Sequence, residues 1–203
     1  MKDTTNMIVE KTFYLGEDVV RIARELLGKV LFTRVNGKET AGIIVETEAY
    51  RGATDRASHA YPNRKTNRNS IMFDDGGKAY VYLIYGMYYL FNIVTNKANH
   101  ADAILIRALE PVKGIETMME RRNKKSMSRI TSGPGLLSQA LGIDLNFYGA
   151  DLTGNRIWLE YPENDRINPE AVQTRRIGVE YAGKDAELPW RFYIANNPWV
   201  SKI

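Results

Sequence analysis

Apolar positions recur at helical spacing over Glu17–Leu27, with Val19, Val20, Ala23, Leu26 and Leu27 on one side. Asp18 falls in the first turn of that helix, and Gly28 stands where a C′ glycine belongs. The period then changes. Lys29–Tyr50 reads as two strands separated by Asn36-Gly37, a strong hairpin signal because a type I′ turn needs positive φ at both central positions. Residues 51–78 are rich in Gly, Asn, Arg, Asp and Ser and form one long loop. Loops beyond about 12–15 residues are uncommon in compact domains and are often functional. Strands are expected at Ala79–Ile84, Tyr89–Thr95 and Ala103–Leu109, then a short amphipathic helix over Gly114–Arg122. Leu136, Leu137, Ala140 and Leu141 predict a helix that opens at Gly133–Pro134 and ends at Gly142. Further strands are predicted at Arg156–Glu160, Thr174–Val179 and Arg191–Ala195. Hairpins outnumber strand–helix alternations. The expected fold class is therefore α+β: a single domain, residues 1–203, on a curved, mainly antiparallel, open-barrel-like sheet with peripheral helices. Residues 1–12 are expected to be a flexible amino-terminal segment.

Composition narrows the chemistry. The 203 residues contain no Cys, which excludes disulfides, Cys-ligated zinc, iron–sulfur clusters and thiol nucleophiles. Two His, at 59 and 100, make a His-rich metal site a poor expectation. A net charge of +4 permits a polyanionic partner without requiring one. The first residues lack an apolar run of signal-peptide length. The most apolar stretch, Tyr80–Val94, spans 15 residues and holds five Tyr and a Gly, too short and polar to cross a bilayer. An intracellular protein with no membrane partner is expected.

Several positions carry candidate chemistry. Along Ile43–Tyr50, alternation sends Ile43, Val45, Thr47 and Ala49 one way and Ile44, Glu46, Glu48 and Tyr50 the other. Two carboxylates and an aromatic on one face suit a general base beside a flat apolar wall. Taken alone, a solvated charged face is the better explanation. In Tyr80–Tyr89, Gly86 can turn the chain and leave Tyr85 or Met87 at a hairpin tip, where an exposed aromatic could wedge between bases. A Tyr-rich core strand pair explains that segment alone at least as well. Arg64 and Arg68 lie in a basic, polar loop suited to phosphate. A generic solvated loop fits equally. Arg107 interrupts the apolar run Ala103–Leu109 and needs a partner, either a site carboxylate or a structural one. His59 is a pocket donor or a surface imidazole.

Together the motifs are far less ambiguous. Val45–Tyr50, His59, Thr66–Phe73, Tyr80–Asn92, Arg107–Pro111, Ser132–Ile143 and Arg191–Ser201 occur in the order and approximate spacing of the methylpurine, or alkyladenine, DNA glycosylase family. The chain resembles that family from about Phe13 to Ser201. The resemblance implies Glu48 as the general base, with Glu46 the less favoured candidate. It implies Arg107 and the backbone carbonyl of Ile177 as holders of the attacking water. Tyr50, His59 and Tyr82 match the walls of a pocket for a flipped base, and Asn92 the residue that disfavours guanine's amino group. Tyr85 matches the intercalating wedge, with Met87 and Tyr88 beside it in the minor groove. Two departures stand out. The loop Thr95–Asp102 is longer than in the mammalian members, and Leu136 stands where a Lys is expected.

The implied activity is monofunctional base excision. A damaged purine is extruded from duplex DNA and its N-glycosidic bond hydrolysed, leaving an abasic site, with no cofactor and no metal. No matched position offers a lysine for a lyase step. The implied partner is double-stranded DNA holding damaged purines, met by a monomer. Two rival readings remain: a metal-dependent phosphodiesterase using Glu46, Glu48, His59 and Asp74, and a non-catalytic nucleic-acid-binding module.

Overall fold

Asn36 and Gly37 adopt φ of 51° and 76° and join β1 (Val30–Val35) to β2 (Lys38–Tyr50), as the Asn-Gly signal predicts. In this computed structural model, residues 8–162 and 170–201 are described. The remaining strands are β3 (Ala79–Ile84), β4 (Tyr88–Thr95), β5 (Asp102–Lys113), β6 (Ile157–Glu160), β7 (Ala171–Thr174) and β8 (Arg191–Ile194). They form one curled, antiparallel half-barrel in the order β3-β4-β5-β2-β1-β6, with β8 also on β2 and β7 on β8. The helices are α1 (Lys11–Tyr14), α2 (Val19–Glu25), α3 (Ile115–Arg121) and α4 (Pro134–Leu141). The α+β architecture expected from the hairpins is the one observed.

Local signals explain the helix ends. The Asp18 side chain accepts hydrogen bonds from the backbone N–H groups of Val20 and Arg21, a cap that stabilises α2 by about 1 kcal/mol. Pro134 opens α4 at its first position, and Gly142, at φ 71°, closes it. The main core lies where Ile22 and Ala23 of α2 and Leu137 and Leu141 of α4 meet Ile44, Phe91, Ile104 and Ile106 of the sheet. A second apolar cluster, with Met72, Phe73, Tyr80, Val94 and Ala103, seals the underside of the long loop 51–78. Asn69 braces that loop by donating to the carbonyls of His59 and Arg64.

Three expectations need correction. Residues 1–7 lie outside the described residues, but residues 8 and 9 of the expected flexible segment are tied to β6. Val9 is fully buried and its N–H donates to Leu159 O, while Ile8 bridges to Glu160. The strand predicted at Thr174–Val179 lies earlier, at Ala171–Thr174, because Arg176 leaves the sheet for a buried carboxylate and Gly178 turns at φ 73°. The strict alternation along β2 also breaks. Ile44 pairs with Leu109, Glu46 with Ala108 and Thr47 with Ile106, so Val45 and Arg107 are both unpaired bulge positions. The slip at Val45 sends Ile44 into the main core and away from the face that carries Glu46. Among the described residues, no helix is long and apolar enough to cross a membrane.

Candidate active site

The two bulges aim three charged side chains at one another. Glu46 and Glu48 come from β2, and Arg107 reaches both from β5. Arg107 Nε donates to Glu46 Oε1 at 2.8 Å, and its Nη1 lies 3.2 Å from Glu48 Oε1. Neither glutamate has exposed side-chain surface. The carboxylates are nevertheless partnered differently. Glu46 accepts from Arg191 Nε at 2.7 Å, from the Ser201 N–H at 2.7 Å and from the Ser201 hydroxyl at 2.9 Å, as well as from Arg107. Burial works against its charge, yet the two arginines and Ser201 hold its carboxyl below the usual carboxylate range. Through these bonds it ties β2, β5, β8 and Ser201 together.

Glu48 is held by fewer donors. The Tyr50 hydroxyl donates to Oε2 at 2.8 Å and the Ile177 N–H to Oε1 at 2.8 Å. These are its two hydrogen-bond donors, with Arg107 an ion-pair contact, against roughly four acceptor directions on a carboxylate, so Glu48 keeps acceptor capacity to spare. Burial, then the neighbouring Glu48 charge, push the Tyr50 phenol well above its ordinary value, so it remains a donor. Arg107 stays charged, because the two carboxylates outweigh its desolvation.

In front of this cluster lies a cavity of about 710 Å³ lined by Tyr50, His59, Tyr82, Asn92, Arg107 and Ile177, among others. Its size falls within the roughly 300–1,000 Å³ usual for small-molecule sites. The structure thus gathers six of the residues singled out in the sequence, with Glu48 directly behind the lining. The His59 ring stands edge-on to Tyr82, with centroids 4.7 Å apart, and its Nδ1 lies 2.7 Å from the Tyr80 hydroxyl. Desolvation against these rings, followed by the charge of Arg68, pushes the imidazole down to about 4. It is neutral at pH 7. Asn92 is buried and donates from Nδ2 to Tyr80 O at 3.2 Å.

The β3–β4 hairpin forms the cavity rim. Tyr85 and Gly86 both have positive φ, 51° and 67°, and the turn leaves Tyr85 81% and Met87 66% exposed. A tyrosine in the left-handed region is uncommon, and an apolar tip in water is unfavourable, so this turn is costly on two counts. Tyr85 and Tyr88 line the cavity, whereas Met87 projects beyond it. Tyr88 packs against α4 so closely that a Cβ at Gly135 would lie 2.8 Å from its ring. Leu136 also lines the mouth.

The two loop arginines part company. Arg64 is exposed and lies outside the cavity lining. The Arg68 guanidinium lies 5.0 Å from the Tyr82 ring centroid, a cation–π contact. Glu46, Glu48, His59 and Asp74 do not converge, and among the described residues no three acidic or His side chains form a metal-binding group.

The family profile described as methylpurine-DNA glycosylase matches residues 12–198. The chain belongs to the methylpurine-DNA glycosylase family. Relatives match over almost their whole length. A protein of Alkaliphilus oremlandii is 46% identical over 97% of this chain and 100% of its own. One from Clostridium tetani is 44% identical over 97% and 100%, and one from Chlamydia felis 45% over 92% and 96%. All three carry the provisional name 3-methyladenine DNA glycosylase.

Methylpurine-DNA glycosylase family membership accounts for the conspicuous motifs, but several site residues gave no sign in the sequence. Arg176 is fully buried, paired with Asp55 from the long loop, and also donates to Ala49 O at 2.9 Å. Its guanidinium lies 4.8 Å from the Tyr50 ring centroid and so fixes the ring whose hydroxyl holds Glu48. Arg191 and Ser201 stand at the two ends of the last matched motif. Only their convergence on Glu46, 145 and 155 positions away, reveals what they do.

Proposed function

We propose that this chain extrudes alkylated or deaminated purines from duplex DNA and hydrolyses their N-glycosidic bond with a water activated by Glu48. The observation that carries this reading is the spare acceptor capacity of a buried Glu48, oriented by Tyr50, Arg107 and Ile177 behind an aromatic cavity. A base inside a duplex is unreachable, so the nucleotide must leave the stack, at a cost of a few kcal/mol. Tyr85 offsets part of this by filling the gap, with Met87 and Tyr88 against the minor groove.

In the cavity, Tyr50, Tyr82 and a neutral His59 form the walls, which attract a purine that alkylation has made cationic. Asn92 disfavours guanine sterically, because the exocyclic amino group crowds its side chain, and by leaving polar groups unpaired. As the bond from C1′ to the base nitrogen breaks, its electron pair leaves with the base: an N-alkylated purine departs neutral, and a deaminated purine departs as an anion that takes a proton from water. Positive charge grows on the sugar, where the Glu48 carboxylate stabilises it. Water, held by Arg107 and the Ile177 carbonyl, adds its oxygen to C1′ and gives a proton to Glu48. Among the described residues no lysine lines the cavity, which leaves a lyase step without an amine nucleophile.

The test is base release from duplexes containing 3-methyladenine, 7-methylguanine, ethenoadenine or hypoxanthine, run in EDTA. Release of free base with intact strands is expected. Strand cleavage without base release, or activity that EDTA abolishes, would overturn the reading.

A further inference from the structure

Among the described large apolar side chains, Tyr85 and Tyr181 are the two most exposed, at 81% and 72%. Both line the same cavity, though they come from different parts of the chain. Tyr85 has a place in the proposed extrusion. Tyr181 has none so far. A single exposed aromatic is by itself unremarkable on a protein surface, but Tyr181 is held at both ends. Its backbone is anchored by Val179 and Ala182, which pack against Ala57 in a small buried cluster. Its hydroxyl donates to Ala57 O at 3.3 Å. The ring therefore spans two segments: residues 177–182, which begin with the N–H that holds Glu48, and residues 57–59, which end in the wall residue His59. A ring fixed across those two segments, with its face left in water, is preorganised for a flat or ring-shaped partner entering between them. Burial, then the Asp55 charge, raise its phenol, so the hydroxyl keeps the proton it donates.

We propose that Tyr181 is a preformed stacking platform for the extruded nucleotide, meeting it as it enters the cavity and so holding it out of the duplex. This rests on the glycosylase reading and adds to it a binding residue specific to the extruded state. Tyr181 acts on the extruded nucleotide itself, not on the duplex beside it, because both segments that hold it line the cavity.

The experiment compares wild type with Tyr181→Ala and Tyr181→Phe on two duplexes, one containing ethenoadenine and one undamaged. Affinity, ethenoadenine fluorescence and melting temperature are read. Losing a base–aromatic stack weakens binding by about 5- to 150-fold. Tyr181→Ala should weaken lesion binding by at least about fivefold and reduce the fluorescence change on binding, with undamaged-duplex affinity and melting temperature unchanged. Tyr181→Phe keeps the ring and should retain most of the lesion affinity. Equal weakening on both duplexes would place Tyr181 on the flanking DNA and overturn the inference. So would unaltered lesion binding, or a lowered melting temperature with normal fluorescence. Wild type releasing base while Tyr181→Ala matches it would sink this inference alone. Wild type without lesion-specific binding or base release would sink the glycosylase reading with it.

Discussion

The Tyr50 hydroxyl donates to Glu48 Oε2 across 2.8 Å, from two positions further along the same strand. The period of a strand puts both side chains on one face, and burial keeps the phenol protonated, so the bond has a fixed direction. Glu48→Gln keeps the shape but cannot accept the water's proton. It should retain lesion binding and lose on the order of 10²–10⁴ in single-turnover rate. Near-wild-type cleavage would transfer the role of base to another group. Tyr50→Phe removes only the orienting bond and should slow cleavage less than Glu48→Gln does.

Tyr85 acts before bond cleavage. Tyr85→Ala should lower the extruded population, read as a smaller fluorescence change of ethenoadenine on binding, by the roughly 1–3 kcal/mol of a lost stack. The defect should shrink when the lesion sits in a mismatch, where extrusion costs less. Because the side chain is exposed, the melting temperature should stay put. A drop of several degrees with normal extrusion would return Tyr85 to a packing role.

His59 links the pocket to acid stability. Its imidazole sits at about 4 in the folded chain, against about 6.5 when unfolded. As pH falls through 6.5 the unfolded chain takes up a proton and the folded chain does not, so stability present above 6.5 is lost between 6.5 and 4. His59→Phe should therefore lose less melting temperature than wild type between pH 7.5 and 4.5. Because the residue is exposed at the cavity mouth, solvent reduces the difference below the full linkage. Parallel declines in the two proteins would show that His59 is not held neutral by its surroundings.

The pair Arg176–Asp55 is the reverse case, a contact without solvent. Both side chains are fully buried, and Arg176 Nη2 donates to Asp55 Oδ1 at 2.9 Å. Asp55→Ala strands a buried guanidinium, a loss of about 3–5 kcal/mol. For a chain of this size that is roughly 6–20 °C in melting temperature. A change under 2 °C would mean that the arginine finds another partner or water.

Much of the fold was legible because its signals are local. Asn36-Gly37 sets a turn through the φ values those two residues tolerate, and Asp18, Pro134 and Gly142 mark helix ends through groups within four positions of themselves. The face shared by Glu48 and Tyr50 was legible from strand period, but Glu48 was singled out as the base by the family resemblance, since the strand alone reads better as a solvated charged face. The motifs from Val45 to Ser201 placed the chain in its family, and the family profile agrees.

What the sequence left open depends on contacts between distant segments. Two equivalent-looking glutamates on one strand became distinct only when Arg191 and Ser201 arrived at Glu46 and left Glu48 with acceptor capacity to spare. The compensating bulges at Val45 and Arg107 are a property of the paired strands and not of either alone. Ile177 was drawn out of its predicted strand because Arg176, 121 positions from Asp55, found its counter-charge there. Tyr181 belongs to no sequence motif, and only the bond from its hydroxyl to Ala57 O ties it to the cavity wall. Local propensity acts through neighbours along the chain. A buried charge is stabilised only by whichever groups the folded sheet brings to it, and that choice belongs to the tertiary structure.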